Sequence, residues 1–286
     1  MRRSWSKKKL RGLSFKAEQR TQSILGLIRG NAVNVHWWND LPNFGDLITP
    51  FLLRKYGLTP VFASMEHADL VSTGSLLTNL SEDYSGYILG SGLIKDTVRI
   101  FRAAKIIGVR GELTRERINA PKSTILGDPG LLIAEFFEKK LRKTHKLGIV
   151  PHYVDKEDAR VFDISARYPK EVIVVDIQRK PQEVVRELDG CEFVLSSSLH
   201  GLVAADALNI PNGWIVLSDK VSGQGFKFFD YASAFGEKYE PHEITGMEKL
   251  SDLVKMTHQV SSRVATIKSQ LNIAFQNLRD EILAGV

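Results

Sequence analysis

From about residue 32 onward, short and almost wholly apolar runs recur along the chain. Stretches whose apolar residues return every three or four positions separate them. The runs "NAVNVHWW", "PVFAS", "ADLVSTG", "GYILGSG", "KIIGVRG" and "STILGDPG" predict strands, the first ending near Trp38. Helices are predicted from Asp46 to Tyr56, stopped by Gly57, and at "GELTRERIN" and "GLLIAEFFEKKL". A charged stretch, Glu138–Lys146, breaks the rhythm. A second series then follows: "LGIVPHY", "EVIVVDI", a helix at "PQEVVREL", "CEFVLSS", a helix at "GLVAADAL" and "GWIVLS", with only helix expected from Ser251. Unbroken apolar strands alternating with amphipathic helices are the pattern of parallel sheets covered on both faces. The expected fold class is therefore α/β, with two Rossmann-like domains facing a cleft and C-terminal helices. The expected division is a basic extension at 1–30, a first domain at 31–140, a second at 141–245 and helices at 246–286.

Composition changes this picture in two places. With one cysteine, Cys191, the chain forms no intramolecular disulfide and no cysteine-built zinc site. The formal charge of +6 is unevenly spread: residues 1–30 hold nine basic side chains against Glu18 alone, and the remainder is close to neutral. That basic segment also carries Trp5, Leu10, Leu13, Phe15 and Ile24. The mixture suits peripheral contact with an anionic membrane, and a solvated extension is the other reading. No apolar run approaches the roughly 20 residues of a bilayer span, and none near the start could core a secretory signal. The expected location is cytoplasmic, including the inner face of the membrane, and no nucleic-acid partner is expected.

The chemistry is expected at the carboxyl ends of the strands, where open parallel sheets bind ligands. Ser196, Ser197, Ser198, His200 and Gly201 stand where a strand hands over to a helix. Amides, hydroxyls and a helix N-terminus there suit a phosphate or a carboxylate. Helix capping explains one serine but not three with a histidine. In "NFGD", Asn43 precedes Asp46, a plausible N-cap. Gly74 and Ser75 lie in a glycine turn, Arg110 just past a strand where a guanidinium can clamp an anion, Asp128 at another strand end, and His152 at the tip of the second series' first strand. Neither GxGxxG nor GxxxxGK[ST] occurs, and no metal-ligand spacing is visible, so no cofactor and no metal are expected.

In order, "NFGDLITPFLLRKYG", "STGSLL", "GVRGELTRE", "LGDPGLL", "IVPHYVD", "SSSLHGLVAADALNIP" and "KFFDYASAFG" resemble the successive landmarks of the polysaccharide pyruvyl transferase family. The likeness runs from about Asn34 to Gly236 and is nearest to the branch of bacterial exopolysaccharide synthesis. It implies a GT-B-like fold and phosphoenolpyruvate as donor. The product it implies is a pyruvate ketal on a sugar of a polysaccharide or lipid-linked oligosaccharide. His200 is then the leading acid or phosphate ligand, and Asp46 and Asp128 the candidate bases or hydroxyl orienters. Arg110, Lys227 and the Ser196–Ser198 amides are the anion holders. Ser198 stands where many members carry arginine, which shifts that charge to Arg110 or Lys227, or else implies a different donor. A sugar-nucleotide glycosyltransferase and a non-catalytic glycan-binding member are the alternative functions.

Overall fold

A computed structural model describes Gly26 and residues 30–137 and 142–285. The extension expected to meet a membrane therefore lies almost wholly outside the described residues. Six parallel strands form the first sheet: β1 (Ala32–His36), β2 (Thr59–Phe62), β3 (Leu70–Val71), β4 (Tyr87–Leu89), β5 (Lys105–Val109) and β6 (Ile125–Leu126), in the order β2-β1-β3-β4-β5-β6. Helix α1 (Phe44–Lys55) follows β1 and α2 (Glu112–Arg117) follows β5. After β6 comes a 3₁₀ segment, Pro129–Phe136, where the hydrophobic pattern predicts an α-helix. Proline at its first position and a cap from Asp128, whose Oδ1 accepts from the Gly130 amide at 2.8 Å, fix its start.

The second sheet is parallel as well. It comprises β7 (His145–Val150), β8 (Val172–Val174), β9 (Cys191–Ser196), β10 (Asn212–Val216) and β11 (His242–Glu243), in the order β11-β10-β9-β7-β8. Helices α3 (Ala159–Arg167), α4 (Pro181–Asp189), α5 (Leu199–Ala207) and α6 (Phe226–Ser233) connect these strands, and α7 (Leu250–Lys255) and α8 (Val264–Leu283) follow. The sequence pattern passes over α3, although Asp158 caps it and Val161 and Ile164 bury one stripe of it. It also passes over β11, a two-residue edge strand too short to show a period.

One hydrophobic cluster spans both sheets, and each sheet has a further cluster of its own. Val35, Phe44, Leu52 and Leu131 from the first half pack in the same cluster as Val184, Leu202 and Tyr231 from the second. The Phe44 amide donates to the Ile177 carbonyl at 2.7 Å, which ties the start of α1 to the segment before α4. Helix α8 returns from the far end of the chain to the first half. Tyr56 donates its hydroxyl to Asn272 Oδ1 at 2.6 Å and stacks on Phe275 with ring centroids 5.2 Å apart.

A buried seam sits beside this core. Asp230 of α6 is wholly buried and receives Arg110 Nε at 2.9 Å, the Thr114 amide at 2.7 Å and the Thr114 hydroxyl at 2.7 Å. Ser233, one turn on, accepts the Glu112 amide at 2.8 Å. The exposed donors of the first turn of α2 are thus capped by side chains of the other half. Gly111 makes this approach possible, because a Cβ there would overlap the Asp230 carbonyl.

Candidate functional site

Helix α1 begins at Phe44, two residues earlier than the sequence pattern predicts. Asn43 is its N-cap residue and Asp46 sits in the first turn, not at the cap. Asn43 turns back instead and donates Nδ2 to Asp46 Oδ2 at 2.5 Å, which holds the carboxylate in place. Gly74, at φ 109°, lies directly beyond it: a Cβ there would stand 3.6 Å from Asp46 Oδ1. That left-handed backbone favours glycine.

His200 is at the second position of α5 and its side chain is 12 % exposed. Its Nε2 faces Asp128 Oδ2 at 3.5 Å. Neither atom has a hydrogen-bond partner among the described residues, so each is left for the other or for a ligand. On its Nδ1 side the ring lies flat against Gly45, where a Cβ would overlap it. Glycine is required here for room and not for backbone freedom. Asp128 is fully buried, with one oxygen spent on the Gly130 cap and the other facing the imidazole.

Charge converges on the same spot. Burial raises the Asp46 carboxyl above its usual range, while His200, the Asn43 hydrogen bond and Lys227 pull it back. Burial, helped by repulsion from Lys227 and His200, lowers His152 to about 3, so it is a neutral imidazole near pH 7. Burial and the nearby Arg110 draw Lys227 down to about 8, with Asp46 opposing. Lys227 has neither hydrogen bond nor ion pair among the described residues, which makes it a cation on offer. The cluster thus joins Asn43, Asp46, Gly74 and Asp128 of the first half to His152, His200 and Lys227 of the second.

Other expected ligand groups are committed to the fold. Arg110 is wholly buried and its guanidinium is engaged by Asp230, the Ser75 hydroxyl at 2.8 Å and the Leu93 carbonyl. These bonds anchor it to the other half, and Ser75 is engaged with it. Ser196 Oγ lies within hydrogen-bond distance of the Val150 and Ser198 carbonyls, which share its one hydrogen, and it accepts the Ser198 amide. Ser197 Oγ accepts the His152 amide at 2.8 Å, and its own amide goes to Val150. The Ser196–Ser198 cradle expected for an anion is therefore a self-bonded turn that links β9 to β7. Gly201 serves packing, since a Cβ there would press on Ser196 Oγ. Ser198 alone keeps a hydroxyl without a hydrogen bond among the described residues. Two contributors escape the sequence reading. Tyr153, whose phenol is raised by burial and by Asp46, borders the cluster; Asp230 is the anchor of the seam.

Among the described residues, no group of three His, Cys, Asp or Glu side chains is arranged to hold a metal ion, and no helix is long and apolar enough to cross a membrane.

The model of one protein family, described as polysaccharide pyruvyl transferase, matches residues 5–219. This chain belongs to that family. Among curated relatives, this family member is 33 % identical over 166 residues to an uncharacterized protein of Acanthamoeba polyphaga mimivirus. That match covers 54 % of the chain and 57 % of the viral protein. It is 27 % identical over 232 residues to the succinoglycan biosynthesis protein ExoV of Rhizobium meliloti (strain 1021), covering 77 % of the chain and 70 % of that protein. The chain thus spans little more than half the length of the viral relative. Every residue of the cluster except Lys227 falls inside the family match.

Lys227 carries a sign-defined prediction. A lysine lowered to about 8 loses its charge as pH rises through that value. The unfolded side chain, with a pKa near 10.4, binds more protons than the folded one between about pH 8 and 10. Stability should therefore rise with pH in that window for the native chain relative to Lys227→Met. Over the same window its grip on an anion should weaken. Melting temperatures of both proteins from pH 7.5 to 10 check this, and parallel curves would remove the shift.

Proposed function

We propose that the chain transfers pyruvate from phosphoenolpyruvate to two hydroxyls of a sugar in a polysaccharide or lipid-linked oligosaccharide, forming a cyclic ketal and releasing inorganic phosphate. The supporting observation is the pairing of His200 with buried Asp128, opposite Asp46 and the free cation of Lys227, in a member of this family. The relative named for succinoglycan biosynthesis agrees with a polysaccharide acceptor. On this reading the two halves are Rossmann-like domains in a GT-B-like arrangement, with donor and acceptor meeting where the sheet ends converge.

The chemistry follows from the roles these groups can fill. Protonated His200, oriented by Asp128, gives its proton to the methylene carbon of the enol, and C2 becomes electrophilic. A sugar hydroxyl adds to C2 as Asp46 accepts its proton, a task suited to a carboxylate whose pKa burial has raised. The C2–O bond to phosphate then breaks, the second hydroxyl closes the ketal and returns its proton to the now neutral His200, and the departing phosphate carries away the proton held by Asp46. Lys227 holds the anionic donor and the departing phosphate. Neutral His152 and the Ser198 hydroxyl offer hydrogen bonds without adding charge. Ser198 in place of the arginine common in the family leaves Lys227 as the cation of the cluster, because Arg110 is consumed by Asp230. Residues 1–30, by their basic and apolar mixture, would bring the protein to the inner face of a membrane where lipid-linked acceptors reside.

The test is direct. Phosphoenolpyruvate alone should raise the melting temperature, because a ligand that binds only the folded state stabilises it. With an acceptor glycan, phosphate should be released in step with ketal formation. Stabilisation by a nucleotide sugar but not by phosphoenolpyruvate would overturn the assignment.

A further inference from the structure

A cavity of about 290 Å³ opens beside the cluster, lined chiefly by Tyr153, Phe162, Val174, Val175 and Ile177 with Lys156, Glu157 and Asp176 at its polar edge. We propose that it is a subsite for one neutral hexose ring of the acceptor, an inference that rests on the pyruvyl-transfer reading. Three observations carry it.

The first is position. Tyr153 is shared: it lines the cavity, its ring lies 4.4 Å from that of His152, and Asp46 raises its phenol. A sugar held against Tyr153 thus lies next to the carboxylate that would take its proton.

The second is the type of surface. Trp38 stacks on Tyr153 with centroids 5.8 Å apart and fixes the ring. Phe162 projects from α3 at 51 % exposure, one of the few large apolar side chains left uncovered. An uncovered phenyl ring, a phenol and a carboxylate edge match a pyranose, which has apolar C–H faces and a rim of hydroxyl donors. The Tyr153 hydroxyl makes no hydrogen bond among the described residues and is available to such a rim.

The third is charge and size. The cation at the edge, Lys156, is taken by Asp176 at 2.5 Å, and Glu157 adds a negative charge. The cavity therefore disfavours an anion, and the donor is left to Lys227. Its volume falls just below the range of about 300–1,000 Å³ typical of sites for drug-sized ligands, enough for one ring and too little for a nucleotide sugar.

Phe162→Ala is the discriminating variant, since the side chain is half in solvent and its loss leaves the core intact. Saturation-transfer NMR with methyl β-D-glucoside and methyl β-D-galactoside, without donor, should show binding of at least one by the full chain. That affinity should fall at least fivefold in Phe162→Ala, while stabilisation by phosphoenolpyruvate stays at the native level. Hexoside binding that is absent, or indifferent to Phe162, in a protein that still responds to phosphoenolpyruvate would overturn the subsite alone. A uridine diphosphate sugar whose binding depends on Phe162 would also overturn it. No response to phosphoenolpyruvate in either protein would instead count against the donor, whatever the hexosides do.

Discussion

His200→Ala is expected to lower pyruvyl transfer by about a hundredfold or more, the usual loss when a positioned acid or base is removed. The fold should persist, because the ring sits at the rim of the core, packed against Gly45 and Asp128. Two companion variants show whether the imidazole acts or merely fills space. Gly45→Ala places a methyl group on the ring and displaces it from its present position, so activity should drop although no reacting group has changed. Asp128→Asn keeps an oxygen for the Gly130 amide and removes the charge facing Nε2, and should fall between native and His200→Ala. Ketal formation measured at saturating donor, with melting temperatures alongside, decides the matter. Native turnover in a folded His200→Ala protein would end the assignment.

The largest expected loss of stability comes from Asp230→Ala. It strands the wholly buried Arg110 guanidinium and uncaps Thr114, and removing one partner of a buried pair costs about 3–5 kcal/mol. For a chain of this size that is a fall of roughly 10 °C in melting temperature. Replacing both members, Arg110→Met with Asp230→Leu, should recover much of it, because no unpaired charge remains. Recovery should stop short of native, since the Thr114 amide still lacks its acceptor. A single variant that melts with the native protein would show that the seam contributes little.

The strands were largely legible because each is a continuous apolar run ending in a glycine or serine turn, and parallel strands buried on both faces must read that way. The same logic placed Asp46, Asp128, His152 and His200 at strand ends and left their convergence to the fold. Arg110 marks the limit of what local sequence specifies. A guanidinium past a strand looks identical whether it will meet a ligand or a carboxylate 120 residues away, and Asp230 lies in a helix whose apolar residues mask it. The three serines mislead for a related reason. Their hydroxyls and amides satisfy one another and the neighbouring strand, and local sequence does not say which donors a turn consumes internally. The 3₁₀ segment at Pro129–Phe136 has helical hydrophobicity, and nothing in that pattern distinguishes a tighter winding.

Because α8 closes over the first sheet through Tyr56, Asn272 and Phe275, the chain has the topology of a first unit interrupted by a second. Chimeras between relatives spliced once, near residue 140, would pair a foreign last helix with the native Tyr56. The transferable cassette is instead the interior block, roughly residues 142–258, joined at both of its ends. By the same geometry, a premature stop after residue 260 would lay bare the side of the protein that was synthesised first.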